Sequence, residues 1–272
     1  MNSQILLHTD TNQQLQEDGY ACIPFLNSTE VKQLEELFLK HNDTSGIGSG
    51  LYSNLYALSG DTNWEVSCAM ENICNRAFNE NFTNASLNGG VFIAKGANED
   101  TRCHLHQDYT NTDESIGATY AIWIPLCGID ESTGLFNVIP GSHKYRQHVR
   151  AITNQSFYLE LEKVKPERLK KLTAKAGEAI IFDHALIHGS EANKSNKLRI
   201  AAVLGVVPSG VEYQYYLKTG ENTFSVYRLD KEFFIRRFKE NIGPNNFPQE
   251  RFIKTLEAPV TMEPALAQSF LK

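Results

Sequence analysis

No disulfide framework holds this chain together. Its five cysteines, Cys22, Cys68, Cys74, Cys103 and Cys127, are odd in number and scattered, with no Cys-x-x-Cys pair. Small secreted domains pair their cysteines, so a reducing cytoplasmic setting is the expectation. No apolar run approaches the roughly 20 residues of a membrane span. The opening stretch, MNSQILLHTDTNQQLQEDGY, has only Ile5 to Leu7 as an apolar run and no basic residue before it, unlike a signal peptide. The glycosylation-type sequons at Asn81 and Asn84 therefore read as chance matches. Positive charge is not in excess: 26 Lys and Arg against 32 Asp and Glu give a formal net charge of −6. A chain of that balance is a poor partner for nucleic acid. Internal repeats and low-complexity tracts are lacking too.

What is present is ordinary globular material. The 272 residues are 41% hydrophobic, 21% charged and 10% aromatic, enough for one large domain with a sizeable core. The first 85 residues read as mainly helical. GYACIPFL is a short strand. In LNSTEVKQLEELFLKH, Asn27 and Ser28 are cap candidates, Glu30 completes a capping box, and Leu34, Leu37 and Phe38 fall at helical spacing. Residues 42–63, rich in Gly, Ser and Asn, read as a long loop and a candidate lid. Tyr52, Tyr56 and the adjoining Trp64 would be its substrate-facing aromatics. Residues 64–79 read as a further helix.

From about residue 90 the texture changes. GGVFIAK, RCHLHQD, GATYAIWIPLC, GLFNVIP, GEAIIFDH and KLRIAAVLGVVP are short runs, most of them rich in β-branched and aromatic residues, and Gly, Pro, Asn and Asp punctuate them. That spacing predicts an antiparallel sandwich or barrel over about 90–210. KPERLKKLTAK (165–175) reads as a helix or helical turn. The basic run from Lys163 to Lys175 reads as a solvated face, with an anionic substrate as the sharper alternative. DKEFFIRRFKENIG predicts an amphipathic helix with Phe233, Phe234 and Phe238 on its buried side. The expectation is a single domain over 1–272: a helical segment 1–85, the β-core, and a C-terminal segment 211–272. Nothing in the sequence points to an oligomeric state.

CHLHQDY, residues 103–109, carries the chemistry. Strand periodicity would line His104, His106 and Asp108 along one face. A second cluster, IFDHALIHGSEANKSNKLRI, supplies His184, His188, Ser190 and Arg199. Two histidines and one carboxylate on one side of an octahedral ion suit non-haem Fe(II), leaving positions for a chelating co-substrate and O₂. His106 and Asp108 would be two ligands, and the third must come from a distant strand.

HQD, then IPLCGIDESTGLFNVIPGSHKY, then HGSEANKS with Arg199 eleven residues after His188, resemble the phytanoyl-CoA dioxygenase family. EDGYACIPFLNSTEV resembles that family's opening, so the likeness runs from about residue 15 to 208. It implies an Fe(II)- and 2-oxoglutarate-dependent dioxygenase. The fold implied is mainly β with flanking helices around a double-stranded β-helix, a jelly roll related to the cupins. Carried over, His106, Asp108 and His188 are the metal ligands. Arg199 pairs with the distal carboxylate of 2-oxoglutarate, as a guanidinium fork suits, and Ser190 donates to the same group. Gln107 and Trp123 match positions close to the co-substrate, and Lys95 in FIAKG resembles a lysine that precedes the family's His-x-Asp. The reaction implied hydroxylates an unactivated C–H bond of a small-molecule substrate and yields succinate and CO₂. Asp108 separates the chain from related halogenases, in which a small residue leaves room for chloride. His104 and His184 are expected to be structural neighbours, and His143 part of a turn beside the site with Pro140-Gly141. Asn137 either reaches the co-substrate or decorates its strand. The competing reading is a metal-binding cupin-type isomerase or sensor without oxygenase activity, for which Arg199 and Ser190 would have no use.

Overall fold

Local rules account for the first helices of the computed structural model, which describes residues 4–48, 50–97, 99–146, 149–151, 164–237 and 249–259. Helix α1 (Thr9–Asp18) stops where Gly19 turns left-handed at φ 83° and returns its N–H to Leu15. Strand β1 (Tyr20–Pro24) follows at once. Helix α2 (Ser28–His41) opens on the expected capping box: Asn27 accepts from the Thr29 and Glu30 amides, and the Glu30 carboxylate accepts from the Asn27 amide. Val31, Leu34 and Phe38 form its buried stripe.

Residues 42–63 are more ordered than a loop. They hold strand β2 (Tyr52–Ser53) and helix α3 (Asn54–Ala57), and helix α4 (Gly60–Asn81) begins inside them. The residues that suggested a loop are caps and buried ties. Ser59 caps α4 through the Thr62 amide, while Asn54 accepts from the Phe92 amide and bonds to Asn63 at 2.7 Å.

The remaining strands are β3 (Ala85–Lys95), β4 (Cys103–His106), β5 (Tyr120–Pro125), β6 (Phe136–Val138), β7 (Lys170–Leu172), β8 (Glu178–Asp183), β9 (His188–Ser190) and β10 (Arg199–Pro208). They form two antiparallel sheets, ordered β1-β8-β5-β10-β3-β2 and β4-β9-β6-β7. These two sheets make the jelly-roll core. Alternation along each central strand feeds two cores, because both faces of the larger sheet are covered. Ile122, Ile124, Ala179 and Ile181 pack outward with the helical residues Leu34, Phe38, Met70 and Phe78. Ala121, Trp123, Ile180 and Phe182 point between the sheets, against Phe136, Val138 and Leu172.

Two further expectations need correction. The helical turn near 165–175 is only Pro166–Arg168, and β7 follows, because Leu172 is drawn inward opposite Phe136. The C-terminal part is not only helical. Strands β11 (Gln214–Lys218), β12 (Thr223–Arg228) and β13 (Phe252–Glu257) form a third sheet around helix α5 (Lys231–Arg237). Phe233 and Phe234 pack on Leu217, Tyr227 and Leu229, and Phe238 lies outside the described residues. Among the described residues no helix is long and apolar enough to cross a membrane.

Phe38 joins α2 to the larger sheet, edge-on to both Tyr52 and Phe92. Phe38→Ala is expected to cost about 3–5 kcal/mol of unfolding free energy, measured by urea denaturation.

Candidate metal centre

Strands β4 and β9 pair antiparallel with His106 opposite His188 and Cys103 opposite Ser190. Between those pairs β4 advances three residues while β9 advances two, so β4 is bulged. The bulge breaks the period-two rule. Cys103, not His104, shares the face of His106, with its Sγ 3.9 Å from His106 Nδ1. The side chain of His104 is exposed. Three residues alternating along one strand face is therefore not the arrangement found.

His106, Asp108 and His188 nevertheless converge. One ligand atom from each lies within 4.8 Å of the others. Asp108 Oδ1 is 3.6 Å from His106 Nε2 and 3.8 Å from His188 Nε2. His106 Nδ1 sits 2.8 Å from the His104 carbonyl, and His188 Nδ1 sits 2.9 Å from that of Leu186. A carbonyl only accepts, so each Nδ1 carries the proton and each Nε2 turns its lone pair toward the centre. Burial and the neighbouring His106 push the His188 pKa down to about 4, which keeps that ring neutral. Burial opposes the charge of Asp108, but His188, His106 and His184 outweigh it and hold its carboxyl well below the usual range. Phe136 stacks flat on His188 and Phe182 packs against both rings, giving the centre an apolar wall. This donor set fits an octahedral non-haem iron site with open positions.

His184 and His143 make their contacts elsewhere. His184 bonds Thr119 Oγ1 at 3.1 Å, and its carbonyl accepts the Asp108 amide at 2.8 Å. His143 sits in a short turn, its ring 3.1 Å from the Gln16 carbonyl. Gln107 is buried and donates to the Ala185 carbonyl, tying the turn after β4 to the turn before β9. Asn137 pairs with Gly189, so the register puts it on the opposite sheet face from His188 and Ser190.

A second cluster lies beside the triad. Arg199 and Lys95 are direct partners across β10 and β3, and each is only 3% exposed. Like charges placed so repel, and among the described residues neither has a carboxylate partner. Lys95 donates to Ser190 Oγ at 2.7 Å and to the Glu191 carbonyl at 2.8 Å. Arg199 donates to the Gly134 carbonyl at 2.9 Å, with its guanidinium 4.9 Å above the Trp123 ring. Burial, then Arg199, bring the Lys95 pKa down to about 7. Burial brings Arg199 down to about 10.

Two of the three expected lid aromatics point away from the centre. Tyr52 donates to Asn42 and packs on Phe38. Trp64 is covered by Lys231 and Arg236 of α5. Tyr56 is exposed, and after burial it is the next cause, ahead of Asp108, that raises the Tyr109 pKa.

The sequence assigned no role to Cys103 or Arg150, and it showed Gly189 only as part of the His-Gly-Ser motif. Arg150 donates through Nε to the Asp108 carbonyl at 2.8 Å. Gly189 explains the His-Gly-Ser motif: a Cβ there would meet the Cys103 carbonyl at 2.7 Å and the His104 carbonyl at 3.1 Å. Gly189→Ala should push the bulged β4 off β9 and separate the two histidines. The expected result is at least a tenfold loss of Co(II) affinity by calorimetry, about the cost of disturbing a metal site's support.

Comparison with known proteins agrees with this geometry. The chain is 28% identical over 141 residues to the phytanoyl-CoA dioxygenase domain-containing protein 1 homolog of Dictyostelium discoideum, a match covering 48% of this chain and 50% of that protein. This chain thus spans about half the length of that curated relative. Among solved structures it is similar to HygX from Streptomyces hygroscopicus with nickel, 2-oxoglutarate and hygromycin B bound (TM-score 0.52, 18% identity, covering 75% of this chain and 88% of that one). It is also similar to SnoK, a non-haem α-ketoglutarate-dependent carbocyclase from nogalamycin biosynthesis (TM-score 0.51, 19% identity, 76% and 86% covered). At those identities the structures establish the shared fold. The family model described as phytanoyl-CoA dioxygenase (PhyH) matches residues 15–201, and the chain belongs to that family.

Proposed function

We propose that the protein is an Fe(II)- and 2-oxoglutarate-dependent dioxygenase that hydroxylates an unactivated C–H bond of a small molecule. The observation that carries this is the pair of buried cations, Arg199 and Lys95, facing each other beside the triad without a carboxylate. A dicarboxylate that reaches from metal to cations supplies the missing charge. A metal-binding jelly roll without oxygenase chemistry has no use for the pair. HygX, which binds 2-oxoglutarate, supports the same reading. The reading takes residues 1–272 as one oxygenase domain, since α1–α4 back the sheet that carries the cations.

Each residue has a role. His106, Asp108 and His188 would hold the iron. Iron and O₂ supply the oxidation: 2-oxoglutarate goes to succinate and CO₂ with one oxygen atom, and the other enters the substrate C–H bond. Arg199 forks onto the distal carboxylate, its plane set by Trp123. Ser190 accepts from Lys95 and so has its own hydroxyl proton to donate to that carboxylate. Phe136 and Phe182 keep water off the His188 side. Asp108 occupies the position that related halogenases leave for chloride, which favours hydroxylation.

The direct test is succinate formation from 2-oxoglutarate with Fe(II) and ascorbate. Metal-loaded protein that gives no turnover, coupled or uncoupled, would sink the proposal. His106→Ala or Asp108→Ala should abolish iron binding. Arg199→Ala should weaken 2-oxoglutarate binding by about 10- to 100-fold, the worth of lost hydrogen bonds to a charged group, with metal affinity unchanged.

Lys95 adds a pH dependence. Free of ligand it titrates near 7, and a bound carboxylate stabilises its ammonium form and raises that pKa. Binding then takes up a proton above pH 7. Affinity for 2-oxoglutarate should be level below pH 7 and fall as pH rises from 7 to 9. Lys95→Met should bind more weakly and without that slope; a slope that persists in the variant removes Lys95 from this role.

A further inference from the structure

Asp108 is the one ligand of the triad outside a strand; His106 closes β4 and His188 opens β9. Ligand geometry has to be held to within about 0.5 Å to be productive, so something else must fix this residue. Its amide donates to the His184 carbonyl at 2.8 Å. Its carbonyl accepts from Arg150 Nε at 2.8 Å. Both remaining nitrogens of the Arg150 guanidinium bond to one carboxylate. Nη1 donates to Glu114 Oε2 at 3.0 Å and Nη2 donates to Glu114 Oε1. The Arg150 side chain is only 2% exposed. Its main chain is tied as well: the Thr110 amide donates to the Arg150 carbonyl at 3.0 Å, and the Arg150 amide to Thr110 Oγ1 at 3.1 Å. At the far end, the Asp113 amide donates to the Glu212 carbonyl at 3.1 Å, next to Glu114.

One guanidinium therefore joins the start of segment 108–114 to its end. The fork from Glu114 sets the plane of Arg150, and that plane aims Nε at the Asp108 carbonyl. A lysine could match the charge but not the three directed bonds. We propose that Arg150 and Glu114 are a positioning pair for the metal centre: they touch no ligand side chain, and they fix the backbone from which the Asp108 carboxylate is presented. The proposal rests on reading the triad as the metal centre and extends it to the residues that hold it.

The test uses the full chain and Co(II) alone, followed by calorimetry and by the visible absorption band that reports coordination. Arg150→Lys is expected to weaken Co(II) binding by about 10- to 100-fold, as loss of outer support does at metal sites, and to shift the band. Glu114→Gln should cause a smaller loss in the same direction. A pair that only stabilised the fold would lower the unfolding midpoint and leave the Co(II) band of the folded variant unshifted, and an unshifted band overturns the proposal. So does a folded Arg150→Lys protein that binds Co(II) as tightly as the parent. If Arg150→Lys fails to fold, the double change Arg150→Met/Glu114→Met removes both charges together and is read by the same criteria. His106→Ala separates the two levels. If it keeps the parent affinity, the triad reading falls and this proposal with it. If it loses the metal while Arg150→Lys does not, only the positioning pair is overturned.

Discussion

Where β4 lies against β9, His106 faces His188 and Cys103 faces Ser190, with one extra residue on the β4 side. The other parts of the centre follow from that bulged pairing. It brings two imidazoles from distant parts of the chain to a ring-centroid distance of 4.3 Å. It turns Cys103 inward and leaves His104 exposed. It also demands a residue without a side chain at Gly189, because the carbonyls of the bulge occupy the space a Cβ would need. The short His-Gly-Ser stretch is thus a triad imidazole, a clearance and a hydroxyl in consecutive positions.

Two buried arginines make a useful contrast. Arg150 is neutralised by the Glu114 carboxylate, and every nitrogen of its guanidinium has an acceptor. Arg199 has one carbonyl, an aromatic face and a lysine as its cross-strand neighbour. Burying a charge without a partner is costly. A pair of such charges facing each other is a cost that the proposed dicarboxylate would relieve. Arg150 is neutralised within the scaffold, and Arg199 would be neutralised by that co-substrate.

Much of this was legible in the residues. The Asn27 capping box, the Leu34 and Phe38 stripe and the strand runs of the β-core are all local signals, and each stands where the sequence placed it. The His-x-Asp and His-Gly-Ser motifs pointed to the three side chains that the fold brings together. The misreadings share one cause. Asn54 and Asn63 looked like loop residues because their polar groups have no partner in the adjacent turn, yet they bond to each other and Asn54 bonds to β3 across the fold. KKL looked helical because its lysines suit an exposed helix, yet Leu172 pairs opposite Phe136. Tyr52 and Trp64 looked like lid aromatics, yet a buried Asn42 and the cations of α5 claim them.

The sequence by itself determined the ligand types, the capped helices and the class of sheet, because propensity, capping and alternation act over a few residues. The tertiary structure decided which neighbours share a face. It moved Cys103 into the site and His104 out of it, set Lys95 against Arg199, sent Asn137 to the far side of its sheet, and brought Arg150 onto Asp108. Those outcomes depend on hydrogen-bond register between strands far apart in the chain. A shift of one residue in register exchanges the two faces of a strand, and no local pattern encodes that choice.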